Sequence, residues 1–221
     1  PPKAGQKTSV GEMLGLDALK VLKDRNYLIF FIASVLICIP LAFYYGQTNF
    51  FLNEAGMQGA AGKMTFGQVA ETVFLFLMPW FFARFGTKQM LLIGMLAWVA
   101  RYALFAYGDA GANSWMLFTG IVLHGICYDF FFVTGQIYTD QKAGPKVRSS
   151  AQGLITLATY GVGMYIGFYL AGQYVDKYKT ADGLHDWKSI WLFPCLFAAG
   201  VALLFLAFFR NDRNKKMAEP T

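Results

Sequence analysis

Four ionisable side chains fall inside stretches that are otherwise almost wholly apolar: Glu71, Arg101, His124 and Asp129. A charge in such a place is costly, faces a protein interior or a water cavity, and is a functional candidate by default. Gln68 stands three residues before Glu71, so a helix through this stretch projects both from one face. Pro79 follows and frees the carbonyl of Leu75, which predicts a kink. In the run His124-Gly125-Ile126-Cys127-Tyr128-Asp129, His124 and Tyr128 are i,i+4 neighbours. Asp129 is turned from Tyr128 by about 100° and flanks the same face. Earlier in the chain Tyr45 and Asn49 share a face, with Gly46 between them and Pro40 before them. Interrupted helices that carry polar groups suit a binding site for a small polar solute. Two carboxylates within apolar stretches, Glu71 and Asp129, are also the natural places to take up and release a proton. Plainer roles compete with each of these. Asp129 can bridge to Arg101, Arg101 can snorkel to an interface, and a neutral His124 can simply bond a carbonyl. Tyr45 and Asn49 can be no more than a polar helix end.

The elements that position these residues follow from composition. Of the 221 residues 56% are hydrophobic and only 14% charged, against about 25% charged in an ordinary soluble domain. So few charges cannot cover a water-exposed surface, and the chain reads as a membrane protein. A hydrocarbon core of about 30 Å needs about 20 largely apolar residues per helix. Six segments qualify, at residues 27–51, 65–85, 90–107, 115–137, 151–174 and 190–209. None alternates as barrel strands do. The breaks between them carry turn chemistry, among them Arg84-Phe85-Gly86-Thr87, Lys142-Ala143-Gly144-Pro145 and Asp182-Gly183. The predicted class is an all-α membrane protein with six transmembrane helices over residues 27–209. Residues 1–26 then form a cytoplasmic linker with a short amphipathic helix, and residues 210–221 a cytoplasmic tail.

Fourteen of the nineteen lysine and arginine residues lie in the chain start, the second and fourth loops and the chain end. Four lie on the opposite side. The positive-inside rule therefore puts both termini in the cytoplasm. The formal charge of +6 reflects topology, and nucleic acid is not an expected partner. The opening without an initiator Met, and without a signal peptide, reads as the connection between two membrane halves, so a fragment or one product of a split protein is expected. Gly161, Gly163 and Gly167 mark close helix packing through a small-xxx-small pattern. Trp115, Trp187 and Trp191 are placed like interfacial anchors. Cys38, Cys127 and Cys195 are far apart in apolar stretches and read as small buried hydrophobes. No metal-ligand spacing, nucleophile–base signature or nucleotide motif occurs, so neither a metal, a cofactor nor an enzyme is expected.

Four stretches carry a resemblance. They are Phe66-Gly-Gln68-Val-Ala-Glu71-Thr, Leu96-Ala-Trp98-Val-Ala-Arg101-Tyr-Ala-Leu-Phe-Ala-Tyr107-Gly-Asp109, His124-Gly-Ile-Cys-Tyr128-Asp129-Phe-Phe and Arg148-Ser-Ser-Ala-Gln152-Gly. Together with the Leu14-Gly-Leu-Asp17-Ala-Leu linker, they resemble, in order and spacing, the nucleoside:proton symporters of the major facilitator superfamily. The similarity is to the C-terminal six-helix half of a twelve-helix fold. It implies alternating access in a bacterial inner membrane, a nucleoside and a proton as cargo, and a missing N-terminal six-helix half as partner. It also implies that Gln68, Glu71, His124, Tyr128 and Asp129 line the substrate site, with Tyr45 and Asn49 as weaker seventh-helix counterparts. His124 stands where some members have Tyr. The cytoplasmic loop Ala83-Arg84-Phe85-Gly86-Thr87-Lys88 lacks the acidic residue of the superfamily motif. The chemistry agrees with the cargo: carboxylate and amide groups can bond ribose hydroxyls and a base edge in pairs, and Tyr128 can stack on the base. Glu71 is the preferred proton carrier and Asp129 the second. A sugar or other polar solute on the same fold, and a non-transporting membrane subunit, are the alternatives.

Overall fold

The computed structural model describes residues 16–210. The linker residues before 16, including the start of the expected amphipathic segment, and the tail after 210 lie outside the described residues. A 3-10 helix, Leu16–Lys23, leads to α1, Arg25–Glu54, whose first turn is capped by the Asp24 carboxylate accepting from the Tyr27 N–H at 2.9 Å. There follow α2, Ala60–Tyr107; α3, Ser114–Val122; α4, His124–Tyr128; a π-helical turn, Asp129–Val133; and α5, Thr134–Thr156. A second π-helical stretch, Leu157–Gly163, runs into α6, Met164–Lys177, and α7, Trp187–Phe208, ends the described chain. Among the described residues the fold is all-helical apart from one isolated bridge, Lys179 to His185, in the loop before α7.

Among the described residues four helical runs are long and apolar enough to cross a membrane: Arg25–Glu54, Ala60–Tyr107, Ser114–Lys177 and Trp187–Phe208. Two of them do not run straight. Gly86 has φ 70° and ψ 175°, and Gly144 has φ 69° and ψ 174°. That backbone region is essentially reserved for glycine, because a Cβ there clashes with the chain. Around Gly86, Met78 and Met90 join Phe130 in one buried cluster. Twelve residues of straight helix would span about 18 Å, so the chain turns back. Around Gly144 the Gln152 side chain donates to the Gln136 carbonyl and to Asp140, both at 2.8 Å. The sixteen residues from 136 to 152 would span about 24 Å if straight. The expected loops at Gly86 and Gly144 are thus reversals about one glycine each.

α1 is apolar all round and serves as the hub. On one side α6 and the stretch before it approach it through small residues. A Cβ at Gly163 would stand 2.7 Å from the Val35 carbonyl oxygen, and one at Gly167 2.6 Å from the Ala42 Cβ. Gly161 has only its own helix's Leu157 within reach and is exposed, so the close-packing seam excludes it. On another side, Trp191 of α7 stacks on Tyr102 with ring centroids 5.7 Å apart and also meets Phe51 and Phe105. Trp191 is therefore a core residue and not an interfacial anchor; Trp115 remains 56% exposed. The three cysteines are buried and free.

The two ends of the bundle differ in charge. At one, Lys142 donates to Asp24 at 2.8 Å, Lys88 to the Phe209 carbonyl at 2.6 Å, and Asn26 to the Arg210 carbonyl at 3.0 Å. This end gathers basic residues that are remote in sequence. At the other, Glu54 accepts from the His185 N–H at 2.7 Å and from the Trp187 indole at 3.0 Å, tying the last loop to α1.

Candidate functional site

Glycine decides where the site forms. A Cβ at Gly125 would stand 2.5 Å from the Ala70 carbonyl carbon and 2.6 Å from the Glu71 nitrogen. Only glycine lets the backbones of α2 and α4 come this close. From the α2 side a Cβ at Gly67 would lie 3.2 Å from the His124 Cβ. The contact sets His124 Nε2 3.8 Å from Glu71 Oε2, with the imidazole 1% exposed and the carboxylate 32%. Three tyrosines surround the imidazole. Tyr44 stacks on it at 5.0 Å and 24°, Tyr45 meets it edge-on at 6.1 Å, and Tyr128 is tilted against it at 5.9 Å.

Arg101 supports this arrangement from within the bundle. It is fully buried, so it does not snorkel to an interface. Its guanidinium carbon lies 3.2 Å from the centroid of the Tyr44 ring, a cation–π contact. Its Nη1 is 3.2 Å from His124 Nδ1. Nε and Nη2 have no hydrogen-bond partner among the described residues. The alternative bridge from Arg101 to Asp129 is not found among the described residues; Arg101 instead meets His124 and Tyr44. Asp129 opens the π-helical turn and is fully buried, with neither oxygen hydrogen-bonded among the described residues.

The remaining sequence candidates divide by position. Gln68 is exposed one turn before Glu71 on α2, and Tyr45 is 46% exposed beside His124. Tyr128 is half-buried, and its hydroxyl is 2.9 Å from that of Tyr160, which lies in the second π-helical stretch. Asn49 is not in the cluster: its amide is engaged by Asn53 at 3.1 Å and contacts the Met64 sulfur near the end of α1. Tyr44 and Tyr160 are site residues that the sequence did not single out. Both belong to aromatic-rich helices in which nothing distinguishes a ring that packs on lipid from one that packs on an imidazole. Helices with π-turns are frequent at functional sites, and here both π-stretches carry rings of the same cluster, Phe132 and Tyr160, at 5.7 Å.

An apolar helical bundle that holds a part-exposed carboxylate against a buried imidazole and arginine is the kind of arrangement that marks functional positions within membranes. The chain belongs to the nucleoside H+ symporter family, whose model matches residues 1–214. It is similar to YegT of Escherichia coli (strain K12), with 44% identity over 222 residues, covering 97% of this chain and 52% of YegT. The nucleoside permease NupG of the same organism is 32% identical over 209 residues, covering 90% of this chain and 50% of the permease. The crystal structure of the nucleoside transporter NupG superposes with a TM-score of 0.82, at 32% identity, over 95% of this chain and 54% of that one. The chain thus spans about half the length of the curated relatives it matches. Its family is one of transporters, not enzymes, and the chain is membrane-embedded.

Proposed function

We infer that this chain is the C-terminal six-helix half of a twelve-helix major facilitator transporter that imports nucleosides with protons. The observation that carries the reading is the Glu71–His124 contact, a titratable pair held on a partly open face by a glycine seam. Residues 27–209 form the bundle, residues 1–26 the linker from the N-terminal half, and residues 210–221 the tail. Six crossings are supported by the reversals at Gly86 and Gly144 within the two longest helical runs. The basic end of the bundle, with Arg25, Lys88, Lys142 and Arg210, is the cytoplasmic end, which sets the linker and tail inside and the Gly183 loop outside. The membrane is the bacterial inner membrane.

In this reading the N-terminal half closes over Tyr45, Gln68, Glu71 and Tyr128. Gln68 and Glu71 bond ribose hydroxyls or a base edge, while Tyr45 and Tyr128 flank the base. Asn49 belongs to the outer rim. A buried carboxylate without a partner is a group at which gain or loss of a proton has a large energetic consequence, and this makes Asp129 the second candidate after Glu71 for coupling.

The test joins this chain to an N-terminal six-helix half and reconstitutes it in proteoliposomes. An inwardly directed proton gradient should drive accumulation of labelled nucleoside, and collapse of the gradient should abolish it. This chain alone should not transport, since half of the site is missing. Accumulation of a sugar but no nucleoside would overturn the assigned cargo. Transport indifferent to the proton gradient would overturn the coupling.

A further inference from the structure

The contacts of His124 contain more information than its burial. An arginine side chain carries only donors and no acceptor. The 3.2 Å contact between Arg101 Nη1 and His124 Nδ1 is therefore a hydrogen bond only if Nδ1 offers a lone pair. The single proton of the imidazole then sits on Nε2. That atom faces Glu71 at 3.8 Å, beyond direct hydrogen-bond range, and has no hydrogen-bond partner among the described residues. The ring cannot turn to exchange its nitrogens without cost, because Tyr44 stacks on its face and Tyr45 abuts it edge-on. Tyr44 in turn is held by the Arg101 guanidinium over its ring.

We propose that Arg101 is a positioning residue that fixes His124 as the Nε2–H tautomer, making it a hydrogen-bond donor aimed at Glu71. This rests on the reading that Glu71 and His124 line the solute site, and it deepens that reading by assigning polarity. Where a tyrosine hydroxyl can donate or accept, a pinned imidazole only donates.

The protein contains its own control. It has two histidines, and the second, His185, places Nδ1 2.8 Å from Glu54 Oε2. A carboxylate accepts, so His185 Nδ1 is the protonated nitrogen, opposite to His124. Nitrogen-15 NMR of the 221-residue chain with labelled histidine, in lipid nanodiscs, reads both states directly, and loss of one signal set in His124→Gln assigns them. The expected spectrum shows a bare Nδ1 with Nε2–H for His124, and Nδ1–H for His185. Arg101→Met should spread His124 over both tautomers and leave His185 unchanged, and Arg101→Lys, which keeps a donor, should restore the single tautomer. A protonated Nδ1 on His124 in the unsubstituted chain overturns the proposal even if every variant fails to fold. So does an unaltered tautomer in a folded Arg101→Met. A titration of the joined twelve-helix protein with nucleoside separates the two readings. Failure of nucleoside to bind counts against the assigned cargo, whereas the tautomer is decided by the spectrum without any ligand.

Discussion

Glu71 and Asp129 are both carboxylates within apolar helices, yet their surroundings are opposite. Glu71 is part-exposed and 3.8 Å from an imidazole nitrogen, whereas Asp129 is wholly buried and has no hydrogen-bond partner among the described residues. Glu71→Gln keeps the shape and most hydrogen bonds while removing titration. In the joined twelve-helix protein it should retain nucleoside exchange across the membrane but lose proton-driven accumulation. Asp129→Asn keeps the shape and exchanges one buried polar group for another. Because no bridge to Arg101 is broken, stability measured by thermal unfolding in detergent should change by no more than about 1 kcal/mol, the scale of a single net hydrogen bond. If Glu71→Gln still concentrates nucleoside and Asp129→Asn does not, the two carboxylates exchange roles.

The decisive joints between elements are glycines, for different reasons. Gly86 and Gly144 reverse the chain through a backbone conformation closed to other residues. Gly125 has ordinary helical geometry but meets the backbone of α2, where a methyl group would lie 2.5 Å from the Ala70 carbonyl carbon. Backbone cannot swing aside as a flexible side chain can. Gly125→Ala must therefore push α4 away from α2, at a cost of about 1–3 kcal/mol for overpacking, and carry His124 from Glu71. Nucleoside affinity, measured by calorimetry on the joined protein, is expected to fall about tenfold or more, the equivalent of 1.4 kcal/mol. Gly161→Ala, on the exposed side of its helix, is the matched control and should leave affinity unchanged. Equal affinity in Gly125→Ala and Gly161→Ala would show that the α2–α4 seam does not position the site.

At the scale of the whole molecule, the bundle is fastened at both ends by polar clips. At the basic end, burial works against the Asp24 carboxylate. The hydrogen bond from Lys142 and those from backbone N–H groups outweigh it and hold the group below the usual carboxylate range. A carboxylate depressed in the folded state contributes stability that is fully present above its unfolded value of about 4. That contribution is lost as pH falls through the folded value. The melting temperature in detergent should thus drop on acidification below about pH 4, and Asp24→Asn should make that drop smaller. With the Asp24 side chain 43% exposed, solvent screening keeps the difference within about 1 kcal/mol. An acid profile identical in Asp24→Asn would remove Asp24 from the account. The same charge distribution predicts topology. In a background without Cys38, Cys127 and Cys195, an impermeant thiol reagent applied to intact cells should label Asp182→Cys and spare Lys146→Cys. Labelling of Lys146→Cys would invert the orientation.

Membrane residence, helicity and the principal site candidates were legible in the sequence because each rests on local composition. A hydrocarbon solvent penalises every unpaired polar group, so a Glu, an Arg, a His and an Asp inside apolar runs stand out without any knowledge of the fold. The positions of the reversals were legible for a similar reason, since glycine beside basic residues interrupts an apolar run. Which polar groups meet was not legible. Helical spacing placed Asp129 at the flank of the His124–Tyr128 face, but a π-turn begins at that residue and the tertiary packing buries it. Arg101 read first as an interfacial cation, with a bridge to Asp129 as the alternative; only the approach of α1, α2 and α4 directs it to Tyr44 and His124. The tyrosines that enclose the imidazole were hidden by abundance, because in a chain that is 18% aromatic one ring more is no signal. Local sequence dictates what a residue costs to bury, whereas the identity of its partner depends on contacts between helices far apart in the chain.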